Sequence, residues 1–164
     1  MDDIDAANTT PVSGNMSLAD GKYTRVSSSH AFEQAEEVSH RHSILVVEDD
    51  PALAALEAGV LTAHGYTVVI VDTGERAVAV LHNTLPDLVV LDLELTGTLN
   101  GWDVLQTLRQ YAIIPVLLTT SSTITVRKYI RSRGETRHTL DHLPKPYPMQ
   151  TLLKRIERML MIAS

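Results

Sequence analysis

Cysteine is missing from all 164 residues, which excludes a disulfide framework and any thiolate metal site and agrees with a reducing compartment. No apolar run approaches the roughly 20 residues of a membrane span. The stretch from Met1 to Asp5 is acidic where a secretory signal would be basic. A cytoplasmic protein without a membrane partner is therefore expected. Bases are scarce until late in the chain. Residues 1–42 carry seven acids and three bases, residues 43–104 ten acids and one base, and residues 105–164 three acids and ten bases. Like charges repel, so a stretch this one-sided implies that the middle of the chain gathers carboxylates for a purpose, a divalent cation being the obvious one.

What is present is an apolar content of 44%, enough for one globular core plus an appendage. Residues 1–42 are rich in Ser, Thr, Asn, Asp and Gly and lack a sustained apolar period. They cannot bury enough surface to offset the entropy of ordering, and read as a disordered or weakly helical N-terminal arm. Its one helical candidate runs from Ala31 to Val38. The folded domain is expected over residues 43–164.

From Ser43 short β-branched and leucine-rich runs alternate with segments of helical period. Strands are predicted at Ile44–Val47, Thr67–Val71, Leu88–Leu91, Pro115–Leu118 and, more weakly, Leu140–Leu143. Helices are predicted at Ala52–His64, Glu75–Leu81, Trp102–Tyr111, Ile124–Ser132 and Met149–Met161. Strands apolar on both faces and alternating with helices imply a parallel sheet covered on both sides, with right-handed crossovers. Ligands of such sheets sit beyond the carboxyl ends of the strands, so functional residues should lie just after strands.

Chemistry-bearing residues do stand there. The first strand runs into Glu48-Asp49-Asp50 and the third into Asp92, while the fourth ends at Thr119-Thr120-Ser121 and the fifth at Lys145-Pro146. Carboxylates crowded at one rim need a positive partner, and a small set of hard oxygen ligands suits Mg²⁺. Acids, a hydroxyl and a lysine from four strand ends compose a site for a phosphoryl group, whose charge metal and lysine would offset.

The ordered set Ile44-Leu45-Val46-Val47-Glu48-Asp49-Asp50-Pro51, Asp87 to Leu93, Asn100-Gly101, Pro115 to Thr120 and Leu143-Pro144-Lys145-Pro146 closely resembles the response-regulator receiver family, over about residues 43–162. The steps of 43 residues from Asp49 to Asp92 and of 28 from Asp92 to Thr120 suit that family. The resemblance implies a stand-alone, chemotaxis-regulator-like receiver: an α/β, doubly wound (βα)5 flavodoxin-like three-layer sandwich with a parallel five-stranded sheet of order 2-1-3-4-5. It implies Asp92 as phosphoacceptor. Glu48, Asp49, Asp92 and the backbone carbonyl of Glu94 would hold Mg²⁺, with Mn²⁺ as its substitute. Thr120 and Lys145 would bind the phosphate, and His142 would stand at the aromatic switch position. Asp50, Thr119 and Ser121 are the alternates should the register slip, although Asp50 before Pro51 reads first as a helix cap. Lys145–Pro146 is expected to be cis.

One departure from the pattern is His142 itself, where tyrosine or phenylalanine is commoner; the others fall in two stretches of chain. Thr96 stands where proline is common, in a loop from Leu93 to Asn100 that carries about one extra residue. Between Thr120 and Lys145 the chain has about three residues more than is usual for the family, which points to an altered exit at Arg131 to Thr139.

The implied partners are a histidine kinase or histidine phosphotransfer protein and a downstream protein target, with a homodimer through the same output face as the other use of that surface. The basic cluster Arg127, Lys128, Arg131, Arg133 and Arg137 has no aromatic interleaving beyond Tyr129, and reads as a face for an acidic protein, not nucleic acid. The protein is expected to be a signalling phosphoacceptor and not an enzyme in its own right. Two alternatives are a haloacid-dehalogenase-type phosphatase, from Asp92-Leu93-Glu94-Leu95-Thr96, and a receiver-like scaffold that is never phosphorylated. The first would need a second aspartate where Glu94 stands, and later metal-binding acids where only Glu157 follows Lys145.

Overall fold

The computed structural model describes residues 40–163, so the arm expected over residues 1–42 lies, up to residue 39, outside the described residues. Five strands alternate with five helices: β1 (Ser43–Val47), α1 (Pro51–Ala63), β2 (Thr67–Val71), α2 (Gly74–Asn83), β3 (Leu88–Asp92), α3 (Gly101–Arg109), β4 (Val116–Thr120), α4 (Thr123–Arg133), β5 (Leu140–Pro144) and α5 (Met149–Ala163). All pairings are parallel and the sheet order is β2-β1-β3-β4-β5. This is the expected doubly wound α/β sandwich.

Local chemistry sets the helix ends. Asp50 caps α1 by accepting the Ala52 and Leu53 amides, at 2.9 and 3.4 Å, with Pro51 in the first turn where a missing N–H costs nothing. Asn100 and Asp103 form a reciprocal capping box on α3, with the Asn100 side chain accepting the Asp103 amide at 3.1 Å and Asp103 accepting the Asn100 amide at 2.9 Å. Gly134 closes α4 in the left-handed region, φ 66°. Helix α3 stops at Arg109 instead of running to Tyr111, because the Gln110 and Tyr111 amides turn back to Thr107 and Leu108, three residues earlier, and close the last turn.

Alternation along the strands feeds two cores. Leu45, Val47, Val89, Leu91 and Leu118 face α2, α3 and α4, where Ala77, Leu81, Val104, Leu105 and Val126 are buried. Ile44, Val46, Val90 and Leu117 face α1 and α5, where Leu61, Leu152, Ile156 and Met159 are buried. Full burial of each such aliphatic side chain is worth about 1.5–3 kcal/mol. Strand β5 is weak in sequence because Asp141 interrupts it. That carboxylate is 2% exposed and is bound by Arg155, at 2.6 Å, and by Arg158, both on α5.

The long exit from α4 is tied down by Arg109. Its guanidinium donates to Glu135 at 2.7 Å, to the Ile114 carbonyl at 3.0 Å and to the Thr139 carbonyl at 2.8 Å, while the Thr139 hydroxyl donates to Glu135 at 2.6 Å. The segment between α4 and β5 is thus a structured turn.

Candidate functional site

Strand order reverses between β1 and β3, and the crevice this opens lies at their carboxyl ends. Glu48 and Asp49 follow β1, Asp92 ends β3, and one carboxylate oxygen from each falls within 4.8 Å of the others. Glu48 and Asp92 are each 2% exposed. Charges so buried need compensation, and Lys145 supplies it: its Nζ lies 3.1 Å from Glu48 Oε2 and 3.1 Å from Asp92 Oδ2. Its backbone N–H donates to the Thr120 carbonyl at 2.9 Å, and its peptide bond to Pro146 is cis.

The titration behaviour follows from this packing. Burial pushes the Glu48 carboxyl up, helped by the charge of Asp92, against the Asp50 amide and Lys145. Burial alone would lower the Lys145 ammonium, but its bond to Asp92 and the nearby Glu48 raise it above its usual value. Asp49 loses some hydration, yet two hydrogen bonds from Thr96 outweigh that and hold it low. Three hard oxygen donors this close, with one of them held ionised, fit Mg²⁺ in chemistry and in number.

The loop after β3 organises the rim. Leu93 and Leu95 are buried and anchor it to the core, so Glu94 and Thr96 point outward by alternation. Thr96 donates both its N–H, at 3.0 Å, and its hydroxyl, at 2.8 Å, to Asp49 Oδ2. Proline at this position could make neither bond. Glu75 of α2 accepts the Thr98 and Leu99 amides, at 3.1 and 3.0 Å, and Gly97 turns the chain at φ 118°. Gly101 starts α3 against the phosphoacceptor candidate itself: a Cβ there would stand 2.3 Å from the Asp92 carbonyl oxygen.

Among the hydroxyls, Thr120 shares the face of Leu118, and its Oγ1 donates to Glu94 Oε1 at 3.0 Å. Thr119, aligned with Asp92 in the sheet, lies with Leu117 on the opposite face. Ser121 donates its backbone N–H to Glu94 Oε1 at 2.7 Å and its hydroxyl to Oε2 at 3.4 Å. His142 pairs in register with Leu118 and is half-buried. Burial pushes its imidazole below the ordinary value, with Arg127, Arg155 and Arg137 adding to the effect and Asp141 opposing it. Asp50, as described, is occupied in capping α1.

Three arrangements escaped sequence reasoning. The Glu94 side chain, as opposed to its carbonyl, was given no role, and the Thr96 bonds to Asp49 were not foreseen. Glu57 is fully buried on α1 and accepts the Tyr147 hydroxyl. Its signal was available: Ala54, Glu57 and Leu61 share one helix face, and an acid on an apolar face needs a partner.

The response regulator receiver domain family matches residues 44–157. The DNA-binding response regulator MtrA of Mycolicibacterium smegmatis is 35% identical over 116 residues, 71% of this chain and 49% of the relative. The transcriptional regulatory protein BaeR of Escherichia coli is 30% identical over 117 residues, 71% of this chain and 47% of its own length. The chain therefore spans about half the length of these curated relatives. The solved N-terminal domain of a response regulator/sensory box/GGDEF protein from Carboxydothermus hydrogenoformans superposes with a TM-score of 0.63 at 32% identity, covering 73% of this chain and 94% of that one. The family match replaces the haloacid-dehalogenase alternative. With sheet order, rim and family match agreeing over the same residues, the chain belongs to the response regulator receiver domain family, a signalling module of two-component systems.

Proposed function

We propose that Asp92 accepts a phosphoryl group from a phosphohistidine on a histidine kinase or histidine phosphotransfer protein, and that the unit doing so is residues 43–164. The observation that carries this reading is the convergence of Glu48, Asp49 and Asp92 within 4.8 Å, with the Lys145 ammonium 3.1 Å from the first and last of them. An Asp92 oxygen forms a bond to phosphorus as the phosphorus–nitrogen bond breaks, and the donor imidazole keeps that electron pair and leaves with a proton. Glu48, Asp49, Asp92 and the Glu94 backbone carbonyl would hold Mg²⁺ or Mn²⁺, which when bound offsets the charge gathered around the transferring group.

Lys145, already on Asp92, follows the new charge onto the phosphoryl oxygens, and the Thr120 hydroxyl turns to donate to them. His142, beside Leu118 on the same face, moves with Thr120 and relays the change to α4, β5 and α5, whose population shifts toward a partner-binding state. The partner we propose there is a protein or a second copy of this chain. Nucleic acid suits the face less well: the Tyr129 ring is engaged by Trp102, 4.8 Å between centroids, and by Arg133, so it is not free to stack on a base. Mg²⁺ with beryllofluoride or a small phosphodonor tests the assignment. Asp92→Asn should abolish the response seen in the wild type, and an undiminished response refutes it.

A further inference from the structure

The carboxylate of Glu94 is gripped by three donors from the end of β4: the Thr120 hydroxyl at 3.0 Å and the Ser121 amide at 2.7 Å meet on Oε1, and the Ser121 hydroxyl lies 3.4 Å from Oε2. A hydroxyl and an amide converging on a single anionic oxygen form a small cradle for an anion. Its occupant hangs two residues from the phosphoacceptor candidate, and the Glu94 amide donates to Asp92 Oδ1 at 2.9 Å. No cation among the described residues pairs with Glu94: the partners shown for its carboxylate are neutral donors.

We propose that the Glu94 side chain is a built-in competitor for the phosphoryl group, a carboxylate that fills the Thr120–Ser121 cradle at rest and must leave it when Asp92 is phosphorylated. The proposal rests on the phosphoacceptor reading of Asp92 and deepens it. A phosphoryl dianion at Asp92 repels the neighbouring carboxylate and offers the same donors more charge, so the two anions cannot share the cradle. Release of Glu94 then frees the loop after β3 from the start of α4, and the strength of the grip sets how far the unmodified domain resists switching. Glu94 acts here as a positioning residue, through Thr120 and Ser121.

The test is titration of the full chain with beryllofluoride in saturating Mg²⁺, followed by Trp102 fluorescence, together with the Ser121 amide resonance. Charge-assisted hydrogen bonds exceed neutral ones by about 1 kcal/mol, so Glu94→Gln should tighten apparent beryllofluoride affinity about five-fold and Glu94→Ala somewhat more. At rest the Ser121 amide should move upfield in both variants, and on saturation it should reach one position in wild type and variants alike. Those shifts would not follow from a merely structural role. Failure of the wild type to respond, or an undiminished response in Asp92→Asn, would remove the phosphoacceptor reading and this proposal with it. A normal wild type and a silent Asp92→Asn, with affinity unchanged or weakened in both Glu94 variants or with a stationary Ser121 resonance, would overturn the competitor alone.

Discussion

Single side chains on this rim act mainly by deciding which charges are already satisfied. Asp49 Oδ2 takes two hydrogen bonds from Thr96, so protein donors already hold one of the two oxygens of that carboxylate and offset part of the charge a metal ion would meet. Thr96→Val keeps the amide and removes the hydroxyl. It should tighten Mg²⁺ binding a few-fold, as expected for loss of one competing hydrogen bond; calorimetric titration showing weaker binding would mean that Thr96 orients the ligand instead. Glu57 is a different case. Burial pushes its carboxyl from 4.5 up to about 7, although the Tyr147 hydroxyl pulls the other way. The folded state therefore prefers the protonated acid. Its contribution to stability is full below pH 4.5, declines as pH rises toward 7 and is gone above that, a change of about 3 kcal/mol. Glu57→Gln cannot titrate, so the stability difference between variant and wild type should grow across that window. Urea unfolding midpoints from pH 4 to 8 would reveal it, and parallel curves would place the titration elsewhere.

At the scale of elements, the contact between α3 and the end of β3 is the tightest determinant of site geometry. Gly101 lets the helix start where a Cβ would meet the Asp92 carbonyl oxygen at 2.3 Å and Leu93 Cα at 2.6 Å. These are backbone atoms and cannot swing aside. Gly101→Ala should cost about 1–3 kcal/mol and displace Asp92, lowering both thermal stability and Mg²⁺ affinity. A variant as stable and as metal-responsive as the wild type would show that the loop gives way freely. The elements themselves were largely legible in the sequence, because caps and periodicity are local. Asp50-Pro51 starts α1 and Asn100 starts α3 through bonds made within three residues. The ends of strands were less legible. β3 runs to Asp92 and β4 to Thr120, beyond the predicted Leu91 and Leu118, because the ladder continues to the rim through partners distant in sequence, such as the Leu93 amide on the Thr119 carbonyl.

For the whole molecule, the segregation of charge acquires a physical meaning. Acids that follow β1 and end β3 meet at one rim, while seven of the fourteen Lys and Arg residues fall on α4 and α5. An ion that binds this rim in the folded state and not in the unfolded chain stabilises the fold by mass action, about 2.7 kcal/mol at one hundred times its dissociation constant. Mg²⁺ should therefore raise the melting temperature in a concentration-dependent way, and Asp49→Ala should suppress the rise. Equal melting curves with Mg²⁺ and with chelator would argue against a metal centre at these carboxylates.

Periodicity, caps and the residues placed just after each apolar run were enough to determine the element order, the layered architecture and the list of rim residues, since each of these depends on neighbours a few positions away. The sequence could not tell which oxygen each donor would reach. That Thr120 and not Thr119 faces Glu94, that Thr96 holds Asp49, and that Tyr147 answers the buried Glu57 are contacts across 26 to 90 positions of chain. Only the packing of helices on the twisted sheet sets those distances, because hydrogen bonds switch on or off within an ångström and no local pattern encodes them.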